Sequence, residues 1–115
     1  MTIETEFSPR SGVKIIRISG RIEHTKSREL QEVLKSAIVG EHPYVAADMS
    51  QVRYMDSSAL GIFVSALKSA RSRGGDLRIS GLADMVLDVF RITRLSMVFQ
   101  IYANIDEAIA SFSAD

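Results

Sequence analysis

Apolar residues recur along this chain in two rhythms, and the switches between them mark its elements. Val13-Lys14-Ile15-Ile16-Arg17-Ile18 is rich in β-branched residues and reads as a strand. Residues 3–7 read as an edge strand before it. The turn cluster Ser8-Pro9-Arg10-Ser11-Gly12 lies between the two and predicts an antiparallel hairpin. Leu30, Val33, Leu34, Ala37 and Ile38 then follow the spacing of one buried helix face. Thr25 is the expected N-cap of that helix, and Gly40 and Pro43 end it.

Tyr44-Val45-Ala46-Ala47-Asp48-Met49 is a short apolar run bounded by Pro43 and Ser50, as expected of a buried central strand. A second helix follows Asp56, with Leu60, Phe63, Val64 and Leu67 on its apolar face. Lys68, Arg71 and Arg73 load its last turn, where the helix dipole favours cations. Gly74-Gly75 stops it, with one glycine expected in the left-handed conformation. Leu77–Ser80 reads as a strand, and Leu82, Val86, Val89 and Phe90 mark a third helix. Met97-Val98-Phe99-Gln100-Ile101 reads as the last strand. Asn104-Ile105-Asp106-Glu107 has capping-box spacing, and Ile105, Ala108, Ile109 and Phe112 form one face of a terminal helix.

The order β-β-α-β-α-β-α-β-α implies an α/β fold with right-handed crossovers. The sheet is expected to be mixed and mostly parallel, with about five strands, about four α-helices and one antiparallel strand near the start.

Length and composition narrow the class. At 115 residues the chain fits one domain, expected to span residues 1–115. Its apolar fraction of 46% and charged fraction of 24% suit an ordinary folded globule and not a disordered chain. Lys plus Arg number 14 and Asp plus Glu also number 14, which argues against a nucleic-acid partner needing a basic excess. The absence of cysteine excludes disulfides and thiolate metal sites, and it suits a reducing compartment. Residues 1–6 lack the basic and apolar regions of a secretory signal, and no apolar run approaches the roughly 20 residues of a membrane helix. A cytoplasmic monomer without membrane insertion is the expectation.

Enzyme signatures are missing. The chain has no Gly-x-x-x-x-Gly-Lys phosphate loop, no Gly-x-Gly-x-x-Gly and nothing like a nucleophile elbow. Its two histidines, His24 and His42, fall on different expected elements, which disfavours a metal pair. No metal and no cofactor are expected, and no catalysis. Glu23, His24 and Asp48 read most simply as capping or solvated groups at element ends, and Phe63, Phe90 and Phe99 as core. Met55-Asp56-Ser57-Ser58 stands apart because it lies beyond a buried strand, where sites form in parallel sheets. Its simplest role is to supply an N-cap, either Asp56 or Ser57. A phosphoacceptor there is also chemically sensible, because a helix N-terminus tolerates added negative charge.

The run Asp48-Met49-Ser50-x-Val52-x-x-Met55-Asp56-Ser57-Ser58-Ala59-Leu60-Gly61 resembles the signature of STAS domains, in particular bacterial anti-sigma-factor antagonists. Gly20-Arg21-Ile22-Glu23 with Leu30, Gly74-Gly75-Asp76-Leu77, and Leu95 to Phe99 with Asp106-Glu107-Ala108 extend the resemblance over nearly the whole chain. The resemblance implies a phosphorylatable binding module in a partner-switching pathway. The partner would be a serine kinase that is itself an anti-sigma factor, and it would phosphorylate Ser57, with Ser58 as the rival acceptor. The unphosphorylated form would bind the kinase, phosphorylation would release it, and a metal-dependent serine phosphatase would reverse the mark. The partner-binding set implied is Asp56, Ser57, Ser58 and Ala59 with Glu23 and His24. Two positions depart from the family pattern: Ala59 stands for a usual glycine and Glu23 for a usual aspartate, which bears on partner choice. The alternatives are an accessory STAS subunit of a membrane transporter and a nucleotide- or lipid-binding sensor.

Overall fold

In the computed structural model, which describes residues 1–8 and 11–114, β1 spans Thr2–Ser8 and β2 spans Val13–Ile22. They pair antiparallel, and Gly12 N–H donates to Ser8 O at 2.8 Å to close the hairpin. Pro9 and Arg10 of the expected turn cluster lie outside the described residues. A 3-10 turn at His24–Lys26 leads into α1, Ser27–Ala37. Then come β3 (Tyr44–Met55), α2 (Ser57–Ser72), β4 (Asp76–Ser80) and α3 (Asp84–Ile92). A second 3-10 turn, Leu95–Met97, precedes β5 (Ile101–Tyr102) and α4 (Ile105–Ser111), and a third, Phe112–Ala114, follows α4.

The strand order is β1-β2-β3-β4-β5, with only the first pair antiparallel. The sheet is therefore mixed and mostly parallel, with four α-helices, as the hydrophobic pattern implied. All three parallel connections advance in the same direction. Right-handed crossovers advancing one way lay their helices on one face. Accordingly Leu34 of α1, Phe63 of α2 and Phe90 of α3 share a core with Ile16, Ile18, Leu77 and Ile79. On the opposite face α4 and the turn after it place Ala108 and Phe112 over Val13 and Ala46.

Three expectations need correction. Thr25 does not cap α1. It lies inside the 3-10 turn, and Lys26 holds the N-cap position without a side-chain hydrogen bond. The chain is already coiled there, through Lys26 N–H to Glu23 O at 2.8 Å, so Thr25 is not at the boundary. The central strand does not end at Met49. β4 accompanies β3 only as far as Asp48, after which β3 runs on to Met55 paired with β2 alone. Ser50, Gln51, Arg53 and Tyr54 are exposed on this two-stranded extension, which is why no apolar run announced it. Finally, residues 97–100 are not strand, and the last strand is only Ile101–Tyr102. The 3-10 turn after Arg94 satisfies the backbone locally, with Val98 and Phe99 N–H both donating to Leu95 O. Phe99 is a plug and not a strand residue: it is buried edge-on against Phe90, with ring centroids 5.6 Å apart.

The stop of α2 follows from close packing. Gly74 is left-handed (φ +81°), and at Gly75 a Cβ would stand 1.9 Å from Pro43 O. Only glycine fits a backbone approach that tight. At α4 the capping box forms, with Asn104 Oδ1 accepting from Glu107 N–H at 2.9 Å. Glu107 Oε2 reaches one residue further back than expected, to Ala103 N–H at 3.3 Å.

Candidate functional site at the start of helix α2

The β2–β3 extension carries the start of α2 beyond the rest of the sheet. Ile22 pairs with Met55 at its tip, and Asp56 N–H donates to Ile22 O at 3.3 Å. The two strands therefore bring Glu23 and His24 beside Asp56, Ser57 and Ser58.

Asp56 is the N-cap, which settles the choice between Asp56 and Ser57. Its backbone is extended (φ −94°, ψ 178°), and its Oδ1 accepts from Ala59 N–H at 3.0 Å. A helix leaves its first amide groups without internal partners, and a capping carboxylate satisfies one of them. Ser57 is the first helical residue; its side chain is exposed and takes part in no hydrogen bond among the described residues. Ser58 is half-buried, with its Oγ 3.2 Å from His24 Nδ1. Asp56 anchors the turn, His24 engages Ser58, and Ser57 is left as the unengaged hydroxyl.

Ala59 is 1% exposed, so its methyl group adds to the core and not to the outer surface. Glu23 faces the strand end, where its Oε1 accepts from Arg21 Nε at 2.6 Å. The Arg21 guanidinium also stacks over Tyr54 at 4.3 Å from the ring centroid. No local pattern in the sequence joins Arg21 to Tyr54. Their pairing depends on the β2–β3 register, which places Arg21 directly opposite Tyr54. Asp48 sits further back, with Oδ1 accepting from Ser50 N–H at 3.0 Å, and His42 lies by Gly74. Neither is gathered into the Ser57 cluster. Among the described residues, no group of three or more His, Asp or Glu side chains is placed to hold a metal ion. None of the described helices is long and apolar enough to cross a membrane.

The model of the family described as "STAS domain" matches residues 3–108 of this chain. The chain belongs to the STAS domain family. Among relatives, the anti-sigma-B factor antagonist of Listeria monocytogenes is 36% identical over 102 residues, covering 88% of this chain and 90% of its own. Among solved structures, an anti-sigma-factor antagonist STAS domain protein from Planctomyces limnophilus superposes with a TM-score of 0.85 at 19% identity, covering 96% of this chain and 97% of that one. Unphosphorylated SpoIIAA, also an anti-sigma factor antagonist, superposes at 0.82 with 18% identity, covering 99% and 98%. A structure of SpoIIAA from Bacillus in its phosphorylated form superposes at 0.73 with 19% identity, covering 96% and 98%. These structural likenesses concern the STAS fold; the likeness to the Listeria protein extends to sequence.

Proposed function

We propose that this STAS domain is an anti-sigma-factor antagonist whose partner is switched by phosphorylation of Ser57. The observation that carries the reading is the exposed, unengaged Ser57 hydroxyl at the first position of α2, beside a cap that does not need it. Its likeness to the Listeria anti-sigma-B factor antagonist supports it, as does the phosphorylated form of SpoIIAA. On this reading the unmodified chain binds a serine kinase that is itself an anti-sigma factor. In the transfer, Ser57 Oγ attacks the γ-phosphorus of ATP, ADP leaves, and the hydroxyl proton passes to a base on the kinase. A metal-dependent phosphatase hydrolyses the phosphoserine with water and restores the hydroxyl.

The physical consequence falls on the partner. A phosphate adds about −1.5 to −2 charges. The α2 dipole favours it by roughly 0.3–1 kcal/mol. Asp56 opposes it by roughly 1–2 kcal/mol, taking about 5 Å separation in water. These terms nearly cancel, so the fold changes little. At an interface, by contrast, an unpaired desolvated charge costs roughly 2–5 kcal/mol. That corresponds to about thirty-fold to several-thousand-fold in affinity. The partner surface comprises Asp56, Ser57 and Ser58 with Glu23 and His24, while Ala59 acts from beneath through packing.

The test is incubation with ATP and each candidate anti-sigma kinase from the same genome, with site mapping by mass spectrometry. One kinase is expected to add a single phosphate at Ser57, and Ser57→Ala is expected to abolish it. Modification at Ser58 alone overturns Ser57 as the acceptor, and no modification by any candidate overturns the reading and favours the transporter-subunit alternative.

A further inference from the structure

The helix layer of this domain is incomplete. Helices α1, α2 and α3 cover one face of the sheet, but β1 reaches out beyond α1. Met1, just before β1, and Ile3 pack against the edge of the core, whereas Phe7, on the same face of β1 as Ile3, is 56% exposed. Between the β1–β2 hairpin and α1 lies an open groove of about 550 Å³. Phe7, Ile16, Val33 and Ala37 give it an apolar lining, and Glu29 and Glu32 of α1 form its rim.

The charges around the groove are unequal in their commitments. Lys14 Nζ donates to Ala37 O at 3.1 Å, and Glu6 is paired with Arg17 Nη1 at 2.6 Å. Glu29 and Glu32 are exposed, and neither is in an ion pair among the described residues. An apolar floor beside two uncommitted carboxylates selects an apolar surface flanked by cations.

We propose that this groove docks a basic amphipathic helix of a partner protein, which takes the missing place beside α1. Its apolar stripe would meet Phe7 and Val33, and its flanking Lys or Arg residues would meet Glu29 and Glu32, as in helix-in-groove recognition. Charge decides against the other occupants. A second copy would bring its own Glu29 and Glu32, and antiparallel pairing along β1 would bring Glu4 and Glu6 together with their copies. An anionic membrane surface would be repelled by the same two carboxylates.

The site is separate from Ser57. The groove lies at the β1–β2 turn end, whereas Ser57 follows the far end of the extension. At about 3.3 Å per residue, Lys14 to Ile22 along β2 is about 26 Å. A partner helix in the groove would therefore bind whatever the state of Ser57. The proposal goes beyond the phosphorylation reading and stands or falls without it.

The test is a nuclear magnetic resonance titration of the isotope-labelled full chain with an amphipathic leucine–lysine peptide of about 18 residues, five helical turns. The same peptide with glutamate in place of lysine is the control. Amide shifts are expected to centre on Phe7, Lys14, Glu32 and Val33, with little response to the glutamate peptide. The double variant Glu29→Lys, Glu32→Lys should weaken binding about ten-fold, as loss of two attractions and gain of two repulsions implies. Glu29→Gln, Glu32→Gln should fall between, which keeps the test valid should the charge reversal perturb the fold. Ser57→Asp should bind as the unmodified chain does. Equal binding of both peptides, unchanged affinity in both double variants, or shifts centred on exposed Met85, Ile92 and Met97 would overturn the proposal. So would a dimer in sedimentation that Glu29→Lys, Glu32→Lys alters, since a second copy would then own the groove.

Discussion

Asp76 and Asp56 each stand at the start of an element and accept a backbone N–H, yet their surroundings are opposite. Asp76, at the head of β4, is 7% exposed and has both oxygens taken. Its Oδ1 accepts from Arg71 Nε at 3.1 Å and Leu77 N–H at 3.0 Å, and its Oδ2 accepts from Arg78 Nε at 3.0 Å. Arg78 goes on to Ser111 Oγ at 2.9 Å and stacks over Phe112, which ties β4 to α4 and its following turn. Asp56 caps α2 from a half-buried position and is in no ion pair among the described residues. Burial separates the two. A charge out of water needs every lone pair met, so the Asp76 cluster has one arrangement. The Asp56 end keeps one firm hydrogen bond and an open flank, which on the proposed reading would let it tolerate a change of charge on its neighbour.

The comparison breaks most visibly at Asp76. Asp76→Ala removes the carboxylate that accepts from Arg78 Nε, Arg71 Nε and Leu77 N–H, and the expected loss from breaking this buried pair is roughly 3–5 kcal/mol, read from urea unfolding. A loss below about 1 kcal/mol, the range of exposed ion pairs, would remove the distinction between the two clusters. Gly75→Ala comes next. Its Cβ would meet Pro43 O at 1.9 Å, and forced repacking of this kind costs about 1–3 kcal/mol. A thermal midpoint unchanged from that of the parent would show that the β4 start yields more freely than its packing implies. Asp56→Ala should cost about 1 kcal/mol, the usual worth of an N-cap, and should expose Ala59 N–H to faster hydrogen exchange. Ser57→Ala should sit at the bottom of the series, within about 0.5 kcal/mol of the parent, because its hydroxyl engages nothing. A larger loss would make Ser57 a structural residue.

Much of the fold is legible in the amino-acid pattern alone. The β-branched run from Val13 and the spaced apolar faces of α1 and α2 specify themselves, because their burial pattern repeats locally. Two misreadings share a cause. The end of β3 is half exposed and held by β2 alone, and Phe99 is apolar as an edge plug while Met97 and Val98 beside it are exposed, so in both places a tertiary setting overrode the local pattern. Thr25 failed as a cap because the preceding turn had already begun to coil. At the site, local rules reached only a helix start with two candidate caps. The cap bond from Ala59 N–H to Asp56 is local, but the contact between His24 and Ser58 and the stacking of Arg21 on Tyr54 depend on the β2–β3 register. That register follows from pairing between segments far apart in the chain, which periodicity does not encode.

On the proposed reading Ser57 is the central residue, one that would act on a partner and not on the fold. The most direct test is calorimetric titration of the modifying kinase with the unmodified domain and with the Ser57 phosphoform. Affinity is expected to fall by at least about thirty-fold on phosphorylation. Equal dissociation constants for the two forms would contradict that role for Ser57.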